Sequence, residues 1–222
     1  MENVYIIIPA WNEAKRIGQV LNDLSAYNYR VVVVDDGSTD QTFTIASQYP
    51  KVTVLHHLTN RGQGAALATG TAYALSQQAE IVVHFDADGQ MLSSEIKRLI
   101  EPLIKDSSLD LVLGSKFLQD NIIPWFKRYF LLQPALLLQR LSTGLPLTDV
   151  HNGFRALRAN TARVIKINQE GMAHASEIVS QIKRLGLHYQ EVPVTVVYHE
   201  FGQGMSGGFK IIRDLIIRKI VK

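Results

Sequence analysis

The sequence predicts an α/β fold with a doubly wound, mostly parallel sheet and flanking helices, and three observations predict it. Short apolar, β-branched runs recur at 4–8, 31–34, 52–55, 81–85 and 111–113. They are continuously apolar rather than alternating, as strands buried on both faces are. Longer stretches with helical spacing of apolar residues separate them, and strands that alternate with helices assemble as parallel crossover units.

The elements follow in order. Val4-Tyr5-Ile6-Ile7-Ile8 is read as the first strand, closed by Pro9. A helix from about Glu13 to Ala26 carries Ile17, Val20, Leu21 and Leu24 on one face. Val31 to Val34 form the second strand, and Ser38, Thr39 or Asp40 caps a helix running to about Gln48. Val52 to Leu55 form the third strand, and the Ala-rich stretch from Gln63 to Gln77 the next helix. Ile81 to Phe85 make the fourth strand, a helix runs from about Ser94 to Lys105, and Leu111 to Leu113 make the fifth. After Gly114 the rhythm changes: segment 121–141 is apolar and cation-bearing, and a strand is expected again only at Val192 to Val197.

The 222 residues suit one large domain, read here as 1–206, with a basic amphipathic C-terminal helix over 207–222. With 46% hydrophobic and 19% charged residues, the chain is neither disordered nor of low complexity. Zero cysteines exclude disulfides, thiolate metal sites and cysteine nucleophiles. A net charge of +3 is mildly basic and does not indicate a nucleic-acid partner. The opening Met1-Glu2-Asn3-Val4 lacks a signal-peptide pattern, and no run reaches the roughly 18 apolar residues of a spanning helix. A cytoplasmic protein, peripheral on the cytosolic face of the membrane, is therefore expected.

Ligands of open parallel sheets bind beyond the carboxyl ends of the strands. Three strands end there in polar clusters: Pro9-Ala10-Trp11-Asn12-Glu13, Asp35-Asp36-Gly37-Ser38-Thr39-Asp40 and Asp86-Ala87-Asp88-Gly89-Gln90. Any one of these is accounted for as a turn with a helix cap. Three converging on one sheet edge create mutual repulsion that needs a cation or hydrogen-bond donors to offset it. Asp86 and Asp88, two residues apart just off a strand, suit one hard cation with oxygen ligands, Mg²⁺ or Mn²⁺, with Gln90 as a further oxygen. Such an ion screens the charge that builds on a departing diphosphate. An apolar strand ending in DxD also opens haloacid-dehalogenase-type phosphatases, but there on the first strand and followed by Thr or Val, where this chain has Gln90. The Gly-rich patch Arg61-Gly62-Gln63-Gly64 lacks the phosphate-loop signature, so it is either a loop that opens a helix or a phosphate-facing site for Arg61.

Taken together, IIPAWNE (7–13), VVDDGSTD (33–40), NRGQGAALATG (60–70), FDADGQ (85–90), GSK (114–116) and DVHNGFR (149–155) occur in the order found in inverting family 2 glycosyltransferases of GT-A, Rossmann-like fold. The chain most resembles the polyprenyl-phosphate (dolichol- or undecaprenyl-phosphate) sugar transferases over residues 4–160. The resemblance implies transfer of a single sugar from a GDP- or UDP-sugar to a polyprenyl phosphate. It places Pro9, Trp11, Glu13 and Asp36 around base and ribose, with Trp11 keeping the aromatic surface of the family's Tyr. Asp86, Asp88 and Gln90 match the site for metal and diphosphate. Lys116 stands at the family's Arg of GSR, which keeps a cation for an acceptor phosphate without the bidentate fork. Arg128 is either a second phosphate contact or a solvated helix cation. Asp149 opens the segment near the reacting sugar, in which Asn152 replaces the commoner Ser.

A lipid phosphate is already an anion near neutral pH and needs positioning more than deprotonation. A glycan hydroxyl would need a base, for which Asp149 and Glu177 are the candidates. Tyr198 to Ser206 keeps the Tyr, Gly and Ser of a late family segment but has Phe201 at its Arg, and the QxxRW element of processive synthases is missing. The tail Phe209 to Lys222 sets Ile212, Leu215, Ile216 and Ile220 on one face beside five cations, so it either lies in the headgroup plane or packs on protein. A non-catalytic nucleotide-sugar-binding module at a membrane is the alternative from another class. The sequence leaves the oligomeric state open.

Overall fold

The computed structural model describes residues 3–118, 145–169, 171 and 173–197. In chain order the elements are β1 (Val4–Ala10), α1 (Ile17–Ser25), β2 (Arg30–Asp35), α2 (Thr42–Ala46), β3 (Val52–His56), α3 (Gln63–Ser76) and β4 (Ile81–His84). A short 3₁₀ turn (Ser93–Glu95) leads into α4 (Ile96–Lys105), followed by β5 (Leu111–Ser115), a second 3₁₀ turn (Lys116–Leu118), β6 (Arg155–Arg158), α5 (Ala159–Val164), α6 (His174–Arg184) and β7 (Tyr189–Pro193).

The described strands form a seven-stranded sheet in the order β3-β2-β1-β4-β6-β5-β7. β1 lies parallel to both β2 and β4, β2 to β3, and β5 to β7, whereas β6 runs antiparallel between β4 and β5. The chain leaves β1 toward β2 and β3 on one side and returns on the other as β4. This reversal opens a crevice beyond the carboxyl ends of β1 and β4, the place where open sheets bind ligands.

Alternate residues of β1 serve two cores. Ile6 and Ile8 pack with Val31, Val33 and Val83 against Ile17, Leu21 and Leu24 of α1 and Leu99 of α4. Tyr5 and Ile7 face Val32, Val34 and Val82 on the other side, covered by Ala66, Leu67 and Ala74 of α3 and by Ile178 and Ile182 of α6. Small residues let α3 lie close to the sheet, since a Cβ at Gly70 would collide with Ile7. The four predicted apolar positions of the first helix are its buried ones; each contributes roughly 1.5–3 kcal/mol of burial.

The structure corrects the sequence reading at four places. β1 continues through Pro9 to Ala10. Ile7 and Pro9 point to the same edge, and β4 has already ended opposite Pro9, so the missing N–H leaves no ladder bond unmade. α1 begins only at Ile17, because the preceding residues form a turn in which Arg16 and Ile17 donate to the Glu13 carbonyl at 2.9 Å each. β6 was not expected: Arg-Ala-Leu-Arg carries a charge at each end, and its strand character comes from its two neighbours. Arg158 is accommodated by donating to the carbonyls of Leu103, Leu109 and Asp106. The last strand is Tyr189–Pro193 rather than Val192–Val197. As an edge strand paired only to β5, it buries Val192 alone.

Segment 121–141 with Arg128, the Tyr198–Ser206 stretch and the 207–222 helix lie outside the described residues. Among the described residues no helix is long and apolar enough to cross a membrane.

Candidate active site

The turn after β1 is built by side chains from the turn after β2. Asn12 sits at φ 56°, a backbone conformation Asn tolerates better than most residues. Its N–H donates to Ser38 Oγ at 2.9 Å, and its Oδ1 accepts from Thr39 N at 2.9 Å. Glu13 N donates to Thr42 Oγ1 at 2.8 Å and Ala14 N to Asp40 Oδ2 at 3.1 Å. Ser38 and Thr39 are thus spent on the β1 turn. Asp40 does both jobs, since its Oδ1 also accepts the Thr42 N–H that opens α2, at 2.9 Å.

Asp36, 2% exposed, anchors the next loop. Oδ1 accepts from Arg61 N at 3.0 Å and lies 2.7 Å from His57 Nδ1, while Oδ2 accepts from Gly62 N at 2.6 Å. His57 is itself held by Thr69 of α3, 2.9 Å from Nε2. Asp36 therefore shapes the cleft through the Asn60–Gly62 loop. Gln63, the first residue of α3, then reaches across and donates to Asp86 Oδ1 at 2.8 Å.

Asp86 and Asp88 follow β4. Asp86 is backed by the 149–155 segment: a Cβ on Gly153 would lie 2.8 Å from Asp86 Oδ2, so a side chain there would displace the carboxylate. Asp88 Oδ1 accepts the Gln90 N–H at 2.9 Å, and the Gln90 carbonyl accepts from Val197 N at 2.9 Å. Gln90 thus orders the turn through its backbone, and its side chain does not line the cleft. The cleft, about 520 Å³, is lined by Pro9, Trp11, Glu13, Asp36, Asp86 and Asp88, with Asn60, Gln63 and Gly171 completing its wall. Trp11 is 54% exposed, an aromatic face open to a planar ligand.

Charge accumulates here. Burial pushes the Asp86 carboxyl up to about 6, with the negative charges of Asp88 and Glu13 adding to it and Arg155 and Gln63 opposing. Glu13 is also raised, chiefly by burial and further by Asp88 and Asp40, against Arg16. Among the described residues no three His, Asp or Glu side chains enclose an ion on their own. A cation at the Asp86–Asp88 pair would take its remaining oxygens from ligand or water, as Mg²⁺ and Mn²⁺ sites that meet a diphosphate do. The donor set, two hard carboxylates side by side, fits such an ion.

The sign of the Asp86 effect is testable. A carboxyl raised from 3.8 to about 6 favours the folded state below about pH 4, and that contribution is lost as pH rises to about 6. Above that the ionised group costs about 3 kcal/mol. In metal-free buffer, Asp86→Asn is expected to melt no higher than wild type near pH 4 and about 6–12 °C higher at pH 7. A gain that does not change with pH would refute the assignment.

Of the acceptor-side candidates, Lys116 and Asp149 lie together, but away from the cleft lining. Lys116 N–H donates to Asp149 Oδ2 at 3.3 Å, and Asn152 Nδ2 donates to the same oxygen at 3.3 Å. The Lys116 ammonium lies 5.2 Å from the Phe117 ring centroid. Glu191 of β7 ties this region down, accepting from Thr148 N at 2.9 Å and Asp149 N at 3.3 Å, while Thr148 Oγ1 meets Ser115 Oγ at 2.6 Å. Glu177 accepts from Asn168 N and Gln169 N at 2.9 Å each, which makes it a brace for that loop. Sequence reading passed over Gln63, His57, Arg155 and Glu191. Gln63 and Arg155 stood inside recognised motifs, whereas nothing local marked His57 or Glu191.

Comparison with known proteins places this geometry. The glycosyl transferase family 2 profile matches residues 5–166. The UDP-N-acetylglucosamine–dolichyl-phosphate N-acetylglucosaminyltransferase of Methanococcus voltae is 32% identical over 99% of this chain and 97% of its own. The undecaprenyl-phosphate mannosyltransferase of Micrococcus luteus is 35% identical over 92% of this chain and 88% of its own. Among solved structures, glucosyl-3-phosphoglycerate synthase from Mycobacterium tuberculosis, in complex with Mn²⁺, UDP and glucosyl-3-phosphoglycerate, superposes with a TM-score of 0.68 at 19% identity, covering 98% of this chain and 80% of that one. That likeness extends to the fold. With its profile match running from β1 past the Asp149–Arg155 segment, the chain belongs to glycosyl transferase family 2 and is a glycosyltransferase of GT-A fold.

Proposed function

We propose that the protein is a metal-dependent, inverting transferase that moves one sugar from a nucleotide-diphosphate sugar to a polyprenyl phosphate at the membrane surface. The observation that carries the reading is the convergence of Glu13, Asp86 and Asp88 on one cleft. Their mutual repulsion suits a divalent ion bridging to a diphosphate. A Mg²⁺ or Mn²⁺ ion held by Asp86 and Asp88 would supply Lewis-acid stabilisation of the departing nucleoside diphosphate. Trp11 offers a stacking face to the base, and the Asn60–Gly62 loop held by Asp36 forms the neighbouring wall. Gln63 orients the Asp86 carboxylate.

Two relatives named for dolichyl- and undecaprenyl-phosphate support the acceptor class. Asp149 bonded to Lys116 and Asn152 supports a reaction without a protein base, as a phosphate acceptor permits. Inversion follows from in-line attack on the anomeric carbon from the face opposite the diphosphate. The apolar, cation-bearing composition of 121–141 and 209–222 supports docking on anionic lipid at the cytosolic face.

Purified protein incubated with UDP- and GDP-sugars, Mn²⁺, and either a short polyprenyl phosphate or soluble glycans decides the acceptor. A single sugar on the lipid phosphate, with anomeric configuration opposite to the donor, is expected. Transfer confined to glycan hydroxyls would overturn the acceptor reading, and donor binding without turnover would favour a binding module.

A further inference from the structure

One fully buried cation lies behind the cleft. Arg155, 2% exposed, opens β6 directly opposite His84 of β4. Its Nε and Nη2 donate to the Asn152 carbonyl at 3.1 and 3.0 Å, and its buried Nη1 has no hydrogen-bond partner. A guanidinium out of water and bonded to one neutral carbonyl is costly unless charge compensates it. Asp86 and Asp149 are the carboxylates within electrostatic reach. The other titratable neighbours add no positive charge: burial, with help from Arg155, pushes both His84 and His174 toward the neutral form. A Cβ on Gly153, two residues away, would come within 2.8 Å of Asp86 Oδ2, so the turn that carries Arg155 lies directly behind that side chain.

We propose that Arg155 is the built-in counter-charge of the active-site carboxylates, a positioning residue that holds Asp86 from behind while no metal is bound. Arg155 and the divalent ion then neutralise the same negative charge from opposite sides. Arg155 stabilises the empty site and moderates how tightly the ion is held. The inference rests on Asp86 being a metal ligand; the partnership of Arg155 with Asp86 does not.

Thermal melting of the full chain tests it without turnover. In EDTA, Arg155→Gln is expected to melt about 10 °C below wild type. Mn²⁺ with UDP, or with GDP in a parallel arm, should raise its melting temperature by several degrees more than it raises that of wild type. Arg155→Lys, which keeps the charge, should return the ion-induced shift to the wild-type size. A purely structural Arg155 predicts equal shifts in all three proteins, and that result would overturn the proposal. The partnership is read from a double-mutant cycle in EDTA: Asp86→Asn should raise the melting temperature more in the Arg155→Gln background than in wild type, and additive effects would refute it. If Arg155→Gln alone is insoluble, recovery of a folded Arg155→Gln/Asp86→Asn protein supports the pairing and failure of both rejects it. A wild type that neither nucleotide stabilises with Mn²⁺ would sink the metal reading of Asp86, while the EDTA cycle still decides whether the two charges compensate each other.

Discussion

Asp88→Ala is expected to lower kcat by about 10²–10³-fold while leaving the melting temperature within a few degrees of wild type. Asp88 lines the cleft, and its Oδ1 accepts the Gln90 N–H in its own turn, at 2.9 Å. Losing that bond costs about 1 kcal/mol. Removing a negative charge beside Asp86 returns part of it, because Asp88 is among the groups that raise the Asp86 carboxyl. The two consequences separate cleanly: the fold barely needs this carboxylate, whereas a divalent ion without it keeps one protein oxygen fewer. A transfer assay beside a thermal melt reads both, and wild-type turnover by the variant would exclude a metal role for Asp88.

A large loss of stability is expected on adding a methyl group at Gly37. Its φ of +68° lies in the left-handed region, and a Cβ there would come within 2.6 Å of both Asn60 N and Thr59 C. Those are backbone atoms of the loop whose next two N–H groups, of Arg61 and Gly62, bond Asp36. Relief by movement would break those bonds. Gly37→Ala is expected to cost about 2–4 kcal/mol, a fall of about 4–16 °C in melting temperature, with a raised KM for the donor because the loop forms the cleft wall. Gly186 is the control: its φ is +64° and a Cβ would meet nothing within 4 Å. Gly186→Ala should lose only about 1 kcal/mol of backbone strain. Equal losses in the two variants would show that steric closure of the 59–60 backbone on Gly37 is not what the site depends on.

The parts of the fold legible in the sequence are those in which one segment carries the whole signal. Ile17, Val20, Leu21 and Leu24 mark the buried face of α1 by spacing alone, and the uninterrupted Val and Ile runs mark β1, β2 and β4 as strands covered on both sides. β6 escaped because Arg158 is satisfied by carbonyls distant in sequence and Arg155 is buried only once the strand is in place, and β7 because an edge strand needs apolar residues on one side only. The site shows the same division. The acidic strand ends announced Asp86 and Asp88, but the 2.8 Å bond from Gln63 to Asp86 joins residues 23 apart, and no local pattern encodes it.

By itself, then, the order of residues determined the strand–helix alternation, the edge at which the polar clusters collect, and the carboxylate pair suited to an ion, since each follows from propensity and periodicity within a few neighbouring positions. Tertiary structure alone decided which polar groups remain available. It spent Ser38, Thr39 and Asp36 on holding loops, turned Glu177 into a brace, set Lys116 and Asp149 apart from the cleft lining, and buried Arg155 behind Asp86. The reason is physical: a hydrogen bond or a charge is satisfied by whichever partner comes within reach in space, and that reach is established only when the sheet closes and distant loops meet.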